Sequence, residues 1–197
     1  MNNVITLKYE EPAYNRREIL RYMGQKTPDE MSERLIDRCV LLTSGKLDLK
    51  VCYAMYDLET DGNAVMFAGE KIISENLSKN LAGCKSVILF AATAGLNMDR
   101  LTVKYSSLDA SVHACLQATG AERVESLCDV FNNEIKEKYI TAPRYSPGYG
   151  DVGLENQRIF FRLLDCPKNI GVSLRDDLMM KPTKSVTAFI GIKGEKK

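Results

Sequence analysis

Apolar and polar residues alternate along two early segments of the chain in the manner of β-strands. Residues 47–58 place Leu47, Leu49, Val51, Tyr53 and Met55 on one face. A turn signal at residues 61–63, Asp-Gly-Asn, separates this strand from a second one over residues 64–68, so the pair predicts an antiparallel hairpin or meander. Residues 86–92 form an apolar run of strand length, and residues 185–192 alternate as a final strand.

Helical periodicity fills most of the remaining chain. Short helices are predicted over residues 15–23, 75–81 and 154–164. A further helix starts where Thr27 caps the first turn and Glu30 closes a capping box, and it ends at Gly45. Residues 97–139 predict a largely helical region that is broken near residues 106–107 and at Gly120.

The order of these elements predicts an α+β fold with a twisted, mostly antiparallel sheet flanked by helices. A regular βαβ rhythm is missing, and so are a G-x-G-x-x-G turn after a first strand and a P-loop. We expect a single domain over residues 1–197, with an N-terminal half of helices and strands (1–95) and a ligand-binding half (96–197).

The charge balance disfavours whole classes of partner. The 27 basic and 26 acidic residues give a formal net charge of +1, without the cationic surplus that nucleic acid or an anionic membrane attracts. No apolar run approaches the length of a membrane span, and the N-terminus does not resemble a signal peptide. The expected location is therefore the cytoplasm, with no nucleic-acid or membrane partner.

The sequence also has few residues suited to binding a metal ion or to acid–base catalysis. The six cysteines are widely spread and none has C-x-x-C spacing, so we interpret them as reduced core residues. His113 is the single histidine, and it lies in a helical pattern with no obvious partner. We therefore expect no metal ligands and no catalytic side chain.

Residues 144–150, Arg-Tyr-Ser-Pro-Gly-Tyr-Gly, carry the most distinctive chemistry. Arg144 can hold a carboxylate or a phosphate through two parallel hydrogen bonds, and Tyr149 can offer a ring face to a cation. The glycines allow a flat ligand to lie against the backbone. An ordinary Pro-Gly turn explains the same residues without any ligand.

Glu125 and Asp129 lie one helical turn apart and would complement a positively charged ligand, although a solvated helix face explains them equally well. A carboxylate, a flat ring and a positive charge occur together in S-adenosylmethionine. Its α-carboxylate, ammonium, sulfonium and adenine match an arginine, an acidic side chain, a tyrosine and a glycine backbone.

The arrangement Arg144-x-Ser146-Pro147-Gly148-Tyr149 resembles the R-x-[SA]-P-G-Y signature of the activation (reactivation) domain of cobalamin-dependent methionine synthase, in a stand-alone short form. Residues 179–186, Met-Met-x-Pro-x-x-Ser-Val, and residues 124–125, Val-Glu, are similar to other segments of that family. The resemblance implies a helmet-like α+β domain that binds S-adenosylmethionine and covers a corrinoid held by another protein or domain.

The resemblance also implies roles for individual residues and for partners. Arg144 would anchor the ligand carboxylate, Ser146, Pro147 and Gly148 would lie along the adenine and ribose, Tyr149 would border the methionine or sulfonium, and Glu125 would face the cationic side. The function implied is support of the reductive methylation of cob(II)alamin to methylcobalamin. An electron would come from a flavodoxin- or ferredoxin-type donor.

Two departures from full-length methionine synthase bear on this function. The chain has no D-x-H-x-x-G cobalamin signature and no cysteine set for a substrate-activating zinc. Cobalamin would therefore be supplied in trans by a corrinoid-binding protein or by a methionine synthase core lacking its activation domain. The alternatives are service to a different corrinoid protein, a non-catalytic capping module that does not use S-adenosylmethionine, and a plain structural protein.

Overall fold

The computed structural model describes residues 3–196. The strands within this range are β1 (Ile5–Lys8), β2 (Lys50–Asp57), β3 (Glu59–Asp61), β4 (Ala64–Phe67), β5 (Glu70–Ile73), β6 (Ser86–Thr93), β7 (Tyr139–Thr141), β8 (Ser173–Leu174), β9 (Met180–Lys181) and β10 (Ser185–Glu195). The α-helices are α1 (Arg16–Tyr22), α2 (Glu30–Thr43), α3 (Glu75–Asn80), α4 (Leu96–Ser106), α5 (Ala110–Lys138), α6 (Gln157–Leu164) and α7 (Cys166–Ile170). A short 3₁₀ turn, Leu154–Asn156, precedes α6.

A five-stranded sheet with the order β1-β2-β6-β10-β7 forms the centre of the molecule, and each neighbouring pair in it is antiparallel. Side chains alternate between its two faces, so Leu89 of β6 belongs to one core cluster and Phe90 to another. Both faces are therefore buried, which explains why β6 reads as an unbroken apolar run instead of an alternating one. The predicted α+β class with a mostly antiparallel sheet is confirmed.

Each face of the sheet is covered by different elements. Helix α5 covers one face through Val124, Leu127 and Phe131, and helices α1, α2 and α4 pack on α5 in a cluster of their own. Helices α6 and α7 pack on the opposite face, in a cluster shared with residues of the three-stranded sheet β3-β4-β5. The N-terminal half of α5 is thus packed against helices, and its C-terminal half against the sheet.

Two predicted helix boundaries were wrong. Asp29, not Thr27, caps α2: its carboxylate accepts from the Ser32 N–H at 2.7 Å, and the Ser32 hydroxyl accepts from the Asp29 N–H at 3.0 Å. Helix α5 continues through Gly120 without a break. Glycine is needed there for packing, because a Cβ would lie 2.9 Å from both Lys184 Cγ and Met98 Cγ.

The predicted pairing of the early strands was also wrong. Strand β2 pairs with β1 and β6, whereas β4 forms its hairpin with the short β3 and then pairs with β5. The chain leaves the central sheet at Leu58, whose side chain is buried and whose N–H donates to the Lys85 carbonyl at 3.1 Å. The predicted continuous strand therefore ends one residue earlier, and a second sheet begins.

Cys39, Cys52, Cys115, Cys128 and Cys166 are buried and Cys84 is partly buried, as expected for core cysteines. His113 does have a partner, because its Nδ1 lies 2.9 Å from the Thr102 carbonyl oxygen. No helix within residues 3–196 combines the length and the apolar character that crossing a membrane requires. Within the same residues, no cluster of three His, Cys, Asp or Glu side chains could hold a metal ion.

Candidate functional site

The segment that follows β7, residues 142–152, is attached to the central sheet at its start. The Tyr145 N–H donates to the Phe189 carbonyl at 3.0 Å, and the Phe189 N–H donates to the Tyr145 carbonyl at 2.7 Å. After Pro147 the chain turns at Gly148, whose φ of 91° is costly for a residue with a Cβ. The Gly148 N–H donates to the Val152 carbonyl at 2.8 Å, which closes the turn.

The far end of this segment is attached to helix α3. The Asp151 carboxylate accepts from the Ser74 hydroxyl, from the Glu75 N–H at 2.7 Å and from the Asn76 N–H at 3.4 Å. Ser74 is the N-cap residue of α3 and accepts from the Leu77 N–H at 2.9 Å. The hydrogen bond from Ser74, followed by the backbone donors, holds the pKa of Asp151 below its usual range.

Asp151→Asn is expected to destabilise the protein at neutral pH, with a difference from wild type that shrinks in acid. A carboxyl whose pKa is lower in the folded chain contributes its full stability above the unfolded pKa of about 3.9 and loses it as the pH falls through the folded pKa. Urea unfolding at several pH values between roughly 7 and 3 would measure this. A difference that stays constant across the series would contradict the prediction, and Asp176→Asn, at an exposed position, is the matched control.

A cavity of about 440 Å³ lies between the 142–152 segment, α5, the start of α6 and the start of β10. Its lining residues are Glu125, Arg144, Tyr145, Ser146, Pro147, Tyr149, Gln157, Met180, Ser185, Val186 and Thr187. Its volume falls within the range of pockets that hold small ligands. It is thus large enough for one nucleoside-sized molecule.

Arg144 forms an ion pair across one side of this cavity. Its Nη2 donates to Glu125 Oε2 at 2.5 Å, while its Nη1 is 3.7 Å from Asp129 Oδ1, too far for a hydrogen bond. Arg144 Nη1 is buried and has no hydrogen-bond partner among residues 3–196, and the side chain as a whole is 21% exposed. A buried donor without a partner costs about 1–3 kcal/mol, so this guanidinium has an unused hydrogen-bonding position.

A second cavity, of about 350 Å³, is lined by the same ion pair. Both cavities are lined by Arg144 and Glu125, and the second adds the carboxylates of Glu18, Glu122 and Asp129. The ion pair is therefore shared by both cavities, and the second contains Arg21 as a further cation beside its carboxylates.

Five of the six predicted binding residues line the first cavity. They are Glu125, Arg144, Ser146, Pro147 and Tyr149. Gly148 does not line it, and its positive φ assigns it to the turn. The Tyr149 side chain is 70% exposed and so presents its ring to solvent. Their contacts with a ligand remain predictions.

Other lining residues were missed as site residues. Gln157 begins the apolar stripe of α6 that continues with Phe160 and Leu164, so a polar residue at a core-facing position was a usable signal. Ser185 and Thr187 are polar residues two positions apart in the part of β10 that is otherwise apolar, up to Ile192. This interruption of a hydrophobic pattern was the corresponding signal for them.

Comparisons with known proteins bear on the motif and on the fold. Residues 128–197 match the protein-family profile described as "Vitamin B12 dependent methionine synthase, activation domain". The solved structure described as the MetH reactivation domain bound to AdoHcy superposes with a TM-score of 0.71 at 14% sequence identity, covering 100% of this chain and 80% of that chain. No curated protein matches the chain. The profile match includes the whole Arg144–Gly150 motif, and the structural match confirms the fold.

Proposed function

We propose that this protein binds S-adenosylmethionine in the cavity beside Arg144 and supports reactivation of a cobalamin-dependent methyltransferase. Two findings support the proposal: residues 128–197 match the profile of the activation domain of vitamin B12-dependent methionine synthase, and the whole chain has the fold of a solved reactivation domain. The solved reactivation domain was crystallised with AdoHcy, the demethylated form of the same molecule. That ligand supports the choice of S-adenosylmethionine here.

The observation that carries the proposal is Arg144 at the wall of the cavity, whose Nη1 has no hydrogen-bond partner within residues 3–196 and lies 3.7 Å from the Asp129 carboxylate. A guanidinium with a free donor is suited to a carboxylate, which accepts charge-assisted hydrogen bonds from it. The α-carboxylate of S-adenosylmethionine supplies such an acceptor and would satisfy the buried donor.

The neighbouring carboxylate of Glu125 extends the match. Its Oε2 already accepts from Arg144, and its other oxygen is available to an ammonium group in the same cavity. The two charged groups of an amino acid therefore match the two members of this ion pair. The ligand carboxylate would face the arginine, and the ligand ammonium would face the glutamate. This arrangement gives both the carboxylate and the ammonium of the ligand a counter-charge, as desolvated charges require.

The remaining lining residues fit the rest of the ligand. Ser146 and Pro147 offer backbone and a small polar side chain to a ribose or a base, and the exposed ring of Tyr149 can interact with a sulfonium through its π face. When bound, S-adenosylmethionine supplies an electrophilic methyl group. The residues of this chain hold and orient it, which is the main protein contribution to a transfer that needs no general acid or base.

We assign the cobalamin to a partner protein. The cavity, at about 440 Å³, suits a molecule of the size of S-adenosylmethionine and not a corrinoid, and the sequence has no D-x-H-x-x-G motif. The partner would be a corrinoid protein or a methionine synthase core without its own activation domain. A flavodoxin- or ferredoxin-type protein would supply the electron.

Two measurements test the proposal. Isothermal titration calorimetry of the purified protein with S-adenosylmethionine and with S-adenosylhomocysteine should give saturable one-to-one binding. Adding the protein to a cob(II)alamin-loaded methionine synthase core, a reductant and methyl-labelled S-adenosylmethionine should increase the yield of labelled methylcobalamin. Absence of binding overturns the ligand assignment. Binding without any increase in methylcobalamin overturns the role in reactivation.

A further inference from the structure

The side-chain amide of Gln157 is buried at the cavity wall without a hydrogen bond. Gln157 is 5% exposed and lines the 440 Å³ cavity. Its Oε1 is buried without a partner, and neither end of the amide is hydrogen-bonded to any side chain or backbone group of residues 3–196. The acceptor end of this neutral amide is therefore unsatisfied beside the site.

Packing alone does not account for a glutamine at this position. Gln157 begins the α6 stripe that continues with Phe160 and Leu164, both fully buried. An apolar side chain of similar size would fill the same space without leaving an amide unpaired, and a buried polar group without a partner is destabilising. The buried Oε1 is thus unfavourable in the ligand-free chain, and the place of Gln157 in the cavity lining points to a bound molecule as the missing partner.

We propose that Gln157 is a specificity-determining residue that reads the adenine of the ligand. The inference rests on the proposed function. A carboxamide pairs with the adjacent amine and ring nitrogen of adenine, N6 and N7, through one accepted and one donated hydrogen bond. The charged groups of the cavity, Arg144 and Glu125, match the amino-acid end of the ligand. The uncharged amide is left to match the uncharged base.

This pairing distinguishes adenine from hypoxanthine. Hypoxanthine carries a carbonyl oxygen in place of the exocyclic amine, so its O6 and N7 are both acceptors. One amide cannot donate to both positions, because its second end is an acceptor. One acceptor of the base and the carbonyl of Gln157 would then face each other unpaired.

The test compares S-adenosylhomocysteine with S-inosylhomocysteine by calorimetry, in wild type and in Gln157→Leu. We expect wild type to prefer the adenosyl compound by roughly tenfold or more. In Gln157→Leu the adenosyl compound should bind more weakly and the preference should fall to near unity. A preference that persists in Gln157→Leu, or its absence from wild type, overturns the inference.

Two controls make these outcomes separable. Gln117→Leu makes the same chemical change at an exposed position of α5 that lines neither cavity, and it should leave both affinities unchanged. The thermal midpoint of ligand-free Gln157→Leu should equal or exceed that of wild type, because an unpaired polar group has been removed.

If wild type binds neither compound, the proposed function fails and this inference with it. If wild type binds both and Gln157→Leu keeps the same ratio, the inference alone fails.

Discussion

Replacing Arg144 with alanine is expected to weaken binding of S-adenosylmethionine by about 2–4 kcal/mol, or roughly 30- to 700-fold in Kd. The substitution removes the unpartnered Nη1 donor and the Nη2 donor that is bonded to Glu125. It also leaves the Glu125 carboxylate uncompensated at the cavity wall, where it would repel the carboxylate of the ligand. Isothermal titration calorimetry measures the effect directly.

The matched control is Arg162→Ala, because Arg162 forms a surface ion pair with Glu70 and lines neither cavity. We expect its Kd to equal that of wild type. Arg144→Lys keeps the charge but presents a single ammonium in place of a planar fork, so it should recover part of the lost affinity. Wild-type affinity in Arg144→Ala would remove the carboxylate anchor from the proposal.

The largest effect on stability is expected at Arg123, whose side chain is 0% exposed. Its guanidinium donates to both oxygens of the buried Glu122 carboxylate at 2.6 Å, to the Pro12 carbonyl at 2.5 Å and to the Ala13 carbonyl at 2.9 Å. It also lies over the Tyr14 ring, 3.7 Å from the centroid. These contacts attach the segment before α1 to the middle of α5.

Arg123→Ala would leave the Glu122 carboxylate buried without its counter-charge, and breaking a buried pair in this way costs about 3–5 kcal/mol. We therefore expect the free energy of unfolding, measured by urea denaturation, to fall by that amount. Arg34→Ala is the control, because its pair with Glu30 is exposed and such pairs contribute at most about 1 kcal/mol. Equal losses of unfolding free energy in the two variants would show that the buried pair stabilises the protein no more than an exposed pair does.

Elements whose pattern depends on nearby residues were predictable from the sequence. Strands β6 and β10, the capping of α3 by Ser74 and the apolar face of α5 from Val124 onward all lie where local hydrophobicity or side-chain chemistry indicates. The errors arose where distant residues decide the outcome. Gly120 accommodates Lys184 and Met98 from other elements, so its local tendency to break a helix is overridden by tertiary packing.

In the candidate site, too, residues close together in the sequence were predictable and residues brought together by the fold were not. The Arg144–Gly150 motif and its family resemblance identified one wall of the cavity, since those residues are contiguous in sequence. The other walls come from α6 and β10, and only the tertiary arrangement brings Gln157 and Thr187 opposite the motif. The unpaired state of Arg144 Nη1 could not be predicted either, because it depends on a 3.7 Å separation from Asp129.

The backbone pair between Tyr145 and Phe189 gives the binding segment an attachment that surface loops usually lack. Both the N–H and the carbonyl of Tyr145 are hydrogen-bonded to β10, which lies inside the central sheet between β6 and β7. We expect exchange of the Tyr145 amide proton with solvent to require separation of the segment from β10, and so to be slower than exchange in surface loops without such an attachment. The backbone beside Arg144 is thus fixed to the central sheet, and the hydrogen bond to Glu125 orients the guanidinium that it carries.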